Sequence, residues 1–135
     1  MKVVADSHVI YWYVHQSKRL STQALRWLEE AEKSEGIVVS AVTIPELWMA
    51  LTRKKTDRAI QSAGYKLVRD LLEDPGTAVS VAPINAALWY HFETAAAQLR
   101  DPFDAFIVAT AIEWKAPLVT ADIAIAEAGI VEVVW

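Results

Sequence analysis

Lys2-Val3-Val4-Ala5-Asp6-Ser7-His8-Val9-Ile10 reads as a strand that runs directly into a helix, with one acid at the junction. Val3 to Ala5 is continuously apolar, not alternating, which is the pattern of a strand buried on both faces. Asp6-Ser7 interrupts it, and the aromatic segment His8 to His15 predicts a helix. The same unit recurs along the chain. Ser21 to Ser34 carries Ala24, Leu25, Leu28 and Ala31 on one helical face, with Glu29, Glu30, Glu32 and Lys33 outside it, and Gly36 is expected to end this helix. Ile37-Val38-Val39 predicts a second strand. Thr43 to Lys54 predicts a helix, and Asp57 to Leu72 another, stopped by Asp74-Pro75-Gly76.

Ala78 to Val81 predicts a third strand, followed by a helix over Ile84 to Leu99 with Ile84, Leu88, Phe92, Ala95 and Leu99 on one side. Asp101-Pro102 resets the chain before a helix that reaches Trp114. Pro117 to Thr120 predicts a fourth strand, Asp122 to Ala128 a short helix and Val131 to Val134 a last strand. Apolar strands alternating with helices predict the α/β class: a single three-layer α/β/α domain over residues 1–135, built on a central, mostly parallel five-stranded sheet.

Composition agrees and narrows the chemistry. A chain of 135 residues suits one domain, and 54% hydrophobic residues with few Gly and Pro exclude a disordered or fibrous chain. The absence of cysteine excludes a disulfide framework, a thiolate zinc site and a cysteine nucleophile, and it fits a cytoplasmic setting. Met1 to Val14 lacks the pattern of a signal peptide, and no apolar run reaches the ~18 residues of a membrane span, so no membrane partner is expected. The net charge of -4 conceals a polarised distribution. Arg53, Lys54, Lys55, Arg58, Lys66 and Arg69 face only Asp57 in their stretch, whereas from Asp101 onward the acids outnumber the single Lys115. Such a chain can set a basic face for phosphates, with Arg53, Lys54, Lys55 and Arg58 as candidate contacts, beside an acidic pocket that needs a cation. A solvated basic helix face is the plainer alternative.

In open α/β sheets, ligands bind outside the carboxyl ends of the strands. Asp6 follows the first strand, Glu46 stands in the first turn after the second, and Asp122 follows the fourth. Asp104 opens the helix after Asp101-Pro102, with Asp101 three residues earlier on the same helical face. Each has an ordinary explanation. Thr43-Ile44-Pro45-Glu46 matches a capping box with Thr43 as N-cap, and Asp6, Asp101 and Asp122 can each cap the helix they precede. Gathered at one end of one sheet, however, these carboxylates would repel one another unless protonated or bridged by a cation. An oxygen-only site suits Mg2+ or Mn2+, which activates water for phosphodiester cleavage.

At these residues the chain resembles the PIN domain, and within it the VapC-type toxins. Val3-Val4-Ala5-Asp6-Ser7-His8-Val9-Ile10 resembles the family's opening strand with its first acid, and Ser40-Ala41-Val42-Thr43-Ile44-Pro45-Glu46-Leu47 the segment with the second. Asp101-Pro102-Phe103-Asp104 through Ala109 resembles the third segment and Leu118-Val119-Thr120-Ala121-Asp122 the fourth, in the family's order across nearly the whole chain. The resemblance implies a metal-dependent endoribonuclease, the toxin of a type II toxin-antitoxin pair. Asp6, Glu46, Asp104 and Asp122 would be its catalytic metal ligands, and Asp101 a neighbour. It further implies an RNA substrate, a cognate VapB-like antitoxin and a homodimer. Ser7 or Thr120 would serve near the metal, unless each merely satisfies an amide at a helix start. One departure is Ala105, where many relatives carry a basic residue, which puts a local substrate contact in doubt.

Other features point elsewhere. His8 and His15 lie about 10 Å apart along a helix and cannot share a metal ion, and His91 has no ligand partner near it in sequence, so zinc is excluded. No glycine-rich phosphate loop occurs. A phospho-acceptor signalling domain also gathers acids at strand ends, but it needs a Lys after the last strand, where this sequence has Trp135. A catalytically silent module of the same fold would not be expected to keep all four acids. Tyr11, Trp12, Tyr13, Trp27, Trp48, Trp89 and Tyr90 exceed what a small core buries easily, so part of this set is expected at a dimer interface or in a groove for an antitoxin helix.

Overall fold

The computed structural model describes residues 1–53 and 60–135. Its strands are β1 (Lys2–Ala5), β2 (Gly36–Ser40), β3 (Val79–Ala82), β4 (Leu118–Val119) and β5 (Val133–Val134). Between them lie α1 (Ser7–Val14), α2 (Thr22–Glu32), α3 (Thr43–Thr52), α4 (Ser62–Glu73), α5 (Ala86–Ala96), α6 (Pro102–Trp114) and α7 (Ile123–Ala128). The sheet has the order β3-β2-β1-β4-β5, and every pairing is parallel, a stricter result than the mostly parallel sheet expected. Among the described residues no helix is long and apolar enough to cross a membrane.

Two cores follow from the alternation of side chains along each strand. Val3 and Ala5 of β1, with Ile37 and Val39 of β2, turn toward α1 to α4 and pack with Val9, Ile10, Leu28, Leu47 and Val68. Val4 and Val38 turn the other way and join Ala95, Ala105, Ile107, Val108 and Ile125 of α5, α6 and α7, with Leu99 from the turn between α5 and α6. Apolar residues on both faces of β1 and β2 are what force helices onto both sides. Each fully buried Val, Leu or Ile contributes roughly 1.5–3 kcal/mol.

The structure revises several sequence expectations. Gly36 does not end α2, which is capped by Lys33; it starts β2 at φ 93°, where an added Cβ would lie 2.7 Å from the Ala78 carbonyl oxygen. Leu25 is 39% exposed and lies off the buried stripe of α2. Ile84 is 42% exposed because it lies before the N-cap Asn85 and α5 begins only at Ala86. The helix expected from Asp57 begins at Ser62; Lys54, Lys55, Asp57 and Arg58 lie outside the described residues. The short Gly64 lets α4 approach α1, since a Cβ there would meet the Tyr11 hydroxyl at 2.3 Å.

Candidate metal centre

The chain lays β1, β2 and β3 outward in one direction, then crosses to place β4 and β5 on the other side of β1. The crevice between the carboxyl ends of β1 and β4 is therefore the topological switch point, where two neighbouring loops diverge and leave room for a ligand. Asp6 leaves β1 there, and Thr120 leaves β4. The Thr120 hydroxyl donates to Asp6 Oδ2 at 2.6 Å, and the Asp122 amide donates to Thr120 Oγ1 at 3.0 Å. One threonine thus ties the first and fourth acidic segments together.

Asp6 is the N-cap of α1; its Oδ1 accepts from the Ser7 amide at 2.6 Å. Asp122 caps α7 by accepting from the amides of Ala124 and Ile125 at 2.8 and 3.3 Å. Asp101 caps α6 through the Phe103 amide at 2.9 Å, and Asp104 stands in the first turn of that helix. The capping reading is thus right for three of these acids. Capping employs only part of a carboxylate's lone pairs, so it does not compete with gathering.

Glu46 behaves differently. The expected capping box does not form: Val42 is the N-cap of α3 without any side-chain bond, and Thr43 is fully buried inside the helix. Thr43 Oγ1 accepts from the Ser7 hydroxyl at 3.4 Å, and Glu46 turns inward, where its Oε1 is buried without a hydrogen-bond partner among the described residues. A buried carboxylate oxygen left unpaired is costly in a fold that otherwise satisfies its polar groups. Carboxylate oxygens of Glu46, Asp101 and Asp104 lie within 4.8 Å of one another.

The electrostatics report the same crowding. Burial first, then the Asp101, Asp122, Asp6 and Glu46 charges, raise Asp104 from 3.8 to about 7. Burial raises Glu46 from 4.5 to about 7; Asp6, Asp101 and Asp122 add to this, and the Ser7 hydroxyl opposes it. Asp6 is also raised, mainly by burial and further by Asp122, against the Thr120 bond and the His8 charge. The charges of neighbouring acids thus bear on Asp6, Glu46 and Asp104 together. An oxygen-only donor set, a buried carboxylate oxygen without a partner and carboxyls crowded enough to be raised fit a divalent cation.

Asp101 stands among the acids as closely as Glu46 and Asp104 do, and its three-residue spacing from Asp104 is the sequence signal for this. Ser7 and Thr120 are both buried beside the acids, and Thr120 also satisfies the Asp122 amide. Ala105 is fully buried in the second core, so it offers no surface to a substrate. Arg53 is exposed at the end of α3, while its companions Lys54, Lys55 and Arg58 lie outside the described residues. His8 packs at a tilt against Trp12 and His15 against Tyr11, and His91 pairs with Glu113 at 2.9 Å, which leaves no histidine cluster among the described residues. The aromatic set divides: Tyr11 is buried, Trp12, Tyr13 and Trp27 are half-buried, and Trp48, Trp89 and Tyr90 are exposed.

Comparison with known proteins agrees with this arrangement. The family pattern described as PIN domain matches residues 3–131. The chain is 32% identical over 121 residues to Ribonuclease VapC22 of Mycobacterium tuberculosis (strain ATCC 25618 / H37Rv), covering 89% of this chain and 86% of that protein. Among solved structures it is similar to VapBC2 from Rickettsia felis bound to a DNA fragment from their promoter, with TM-score 0.68, 15% identity and coverage of 98% and 97%. VapBC-1 from nontypeable Haemophilus influenzae matches with TM-score 0.64, 17% identity and coverage of 98% and 96%.

Proposed function

The chain belongs to the PIN domain family, and on that premise we propose that it is a metal-dependent endoribonuclease acting as the toxin of a toxin-antitoxin pair. The observation that carries the proposal is the meeting of acids from four chain segments at the switch point, with Glu46 Oε1 buried and unpaired among them. The similarity to a VapC ribonuclease over most of both chains supports the same activity.

Asp6, Glu46, Asp104 and Asp122 are assigned as the ligands of Mg2+ or Mn2+, with Asp101 beside them. The chemistry supplied by such an ion is activation of a water and neutralisation of phosphate charge. The chain's own contribution is positioning. Thr120 fixes Asp6 by one oxygen and the Ser7 amide holds the other. Ser7, buried beside Glu46, favours the ionised form of that carboxyl against its burial. With carboxyls raised to about 7, Glu46 and Asp104 would exchange their protons for a bound cation near neutrality.

The substrate assigned is RNA, with Arg53 and the basic residues that follow it guiding the backbone. The partner assigned is a VapB-like antitoxin, supported by the VapBC folds that this chain shares. Exposed Trp48 on α3, and exposed Trp89 and Tyr90 on α5 across the sheet, are two separate apolar surfaces that support an antitoxin contact and a homodimer. The test is cleavage of RNA by the purified protein in Mg2+ or Mn2+. EDTA should abolish it, and Asp104→Asn should lower it by about 100-fold or more, since even outer-shell partners of metal ligands commonly cost 10–100-fold. Metal-independent cleavage, or full activity in Asp104→Asn, contradicts the assignment.

A further inference from the structure

An acidic site repels the phosphates of its own substrate, so much of the hold on RNA must come from groups beside the carboxylates. One flank of this site supplies them. His8 stands two residues past Asp6 on α1, and its ring lies 5.9 Å from that of Trp12, one turn further along. Trp135 lies 5.9 Å from Trp12 on another side, and the Arg19 guanidinium sits over the Trp12 ring at 6.0 Å. Trp135 follows β5, which borders β4, so it emerges at the same sheet end as Thr120 and Asp122. Ile123, next to Asp122, is 71% exposed and Trp135 37% exposed. Lys18 and Arg19 are exposed and form no ion pair among the described residues.

We propose that His8, Trp12 and Trp135, with Lys18 and Arg19 beside them, form the platform on which single-stranded RNA next to the scissile phosphate lies, its bases against the rings and its phosphates against the cations. The inference rests on the ribonuclease reading and adds the substrate track to it. Aromatic faces accept any base by stacking and are indifferent to the negative charge of the nearby acids, while the two cations supply the salt-dependent part of binding. Arg19 serves both ends of this arrangement, with its guanidinium over the Trp12 ring and N–H donors available for phosphate. Continuity with the acidic crevice and the positive charge of the flank favour RNA as the occupant over a second copy of the chain or a partner helix.

The experiment measures the affinity of a short fluorescent oligouridylate, and of an abasic strand of the same length, for Asp104→Asn protein, in which the RNA stays uncut. Trp135→Ala added to that protein should weaken oligouridylate binding by about 5- to 100-fold, the range of a lost base stack, and leave the abasic strand unaffected. Trp135→Phe should restore most of the loss. Arg19→Ala should weaken both strands and reduce the salt slope of log Kd by about one. If Trp135→Ala lowers the melting temperature, His8→Ala on α1 provides the same comparison. Unchanged affinity in the ring and Arg19 variants overturns the platform, as does an effect confined to self-association or to binding of a co-purified protein. Cleavage by the unsubstituted protein is scored separately: its absence alongside intact ring-dependent RNA binding would sink the nuclease reading and leave the platform standing.

Discussion

Replacing Glu46 with Gln removes a charge that the metal-free fold accommodates poorly. Its carboxyl is raised from 4.5 to about 7, first by burial and then by Asp6, Asp101 and Asp122. At ~1.4 kcal/mol per pH unit, ionising it inside the fold costs on the order of 3 kcal/mol more than in the unfolded chain. Water reaches the open side of the crevice, and screening there lowers the figure to about 1–2 kcal/mol. Because the folded value is raised, the protein has its full stability below pH 4.5 and loses this contribution as pH climbs through about 7. Gln keeps the volume, cannot ionise, and can donate its amide to the carboxylates of Asp101 and Asp104, which lie within 4.8 Å. Thermal melts in EDTA from pH 4 to pH 8.5 should therefore show Glu46→Gln matching the parent at the acid end and exceeding it by roughly 3–8 °C at pH 8. The same variant should lose RNA cleavage. A variant less stable than the parent at pH 8 refutes the reasoning, because it would mean that the ionised carboxylate is bonded within the fold.

Adding Mg2+ or Mn2+ to the parent protein should raise its melting temperature more at pH 8 than at pH 5, because Glu46 and Asp104, both near 7, must shed protons to bind; at about 100 times Kd the gain is ~2.7 kcal/mol. Calorimetric melts at both pH values check this, and an equal gain would contradict it. Thr120→Val removes the 2.6 Å bond to Asp6 Oδ2, so cleavage rates should fall about 10–100-fold with a stability loss of roughly 1–3 kcal/mol by denaturant titration. Gly64→Ala pushes a methyl group to within 2.3 Å of the Tyr11 hydroxyl and endangers the bond it accepts from the Gln61 amide. Denaturant titration should show a loss of about 1–3 kcal/mol, part of which Tyr11→Phe relieves in the double variant.

The architecture was legible because β1 and β2 are apolar on both faces, which leaves only a helix-covered parallel sheet as a solution. Boundaries were less so. Ile84 fits the apolar stripe of α5 by spacing, yet the helix starts only after the N-cap Asn85, and local capping outweighs periodicity. Gly36 looked like a helix terminator, but its reason is the close approach of the Ala78 backbone, a contact between strands that no local pattern encodes. At the acids, sequence showed which residues follow strands. It did not show that Glu46 forgoes the capping box, because that outcome depends on Ser7 meeting Thr43 across 36 residues of chain. Nor did it show that Thr120 clamps Asp6 from 114 residues away.

The central claim is that carboxylates from separate segments converge to hold one divalent cation. Crystals soaked in Mn2+ and recorded at an anomalous wavelength test it most directly. The account predicts an anomalous peak in the crevice between the ends of β1 and β4, at about 2 Å from carboxylate oxygens of at least two of Asp6, Glu46, Asp104 and Asp122. Density empty of Mn2+ at saturating concentration, with Glu46 turned to solvent and each aspartate bonded solely to its own helix amides, contradicts it.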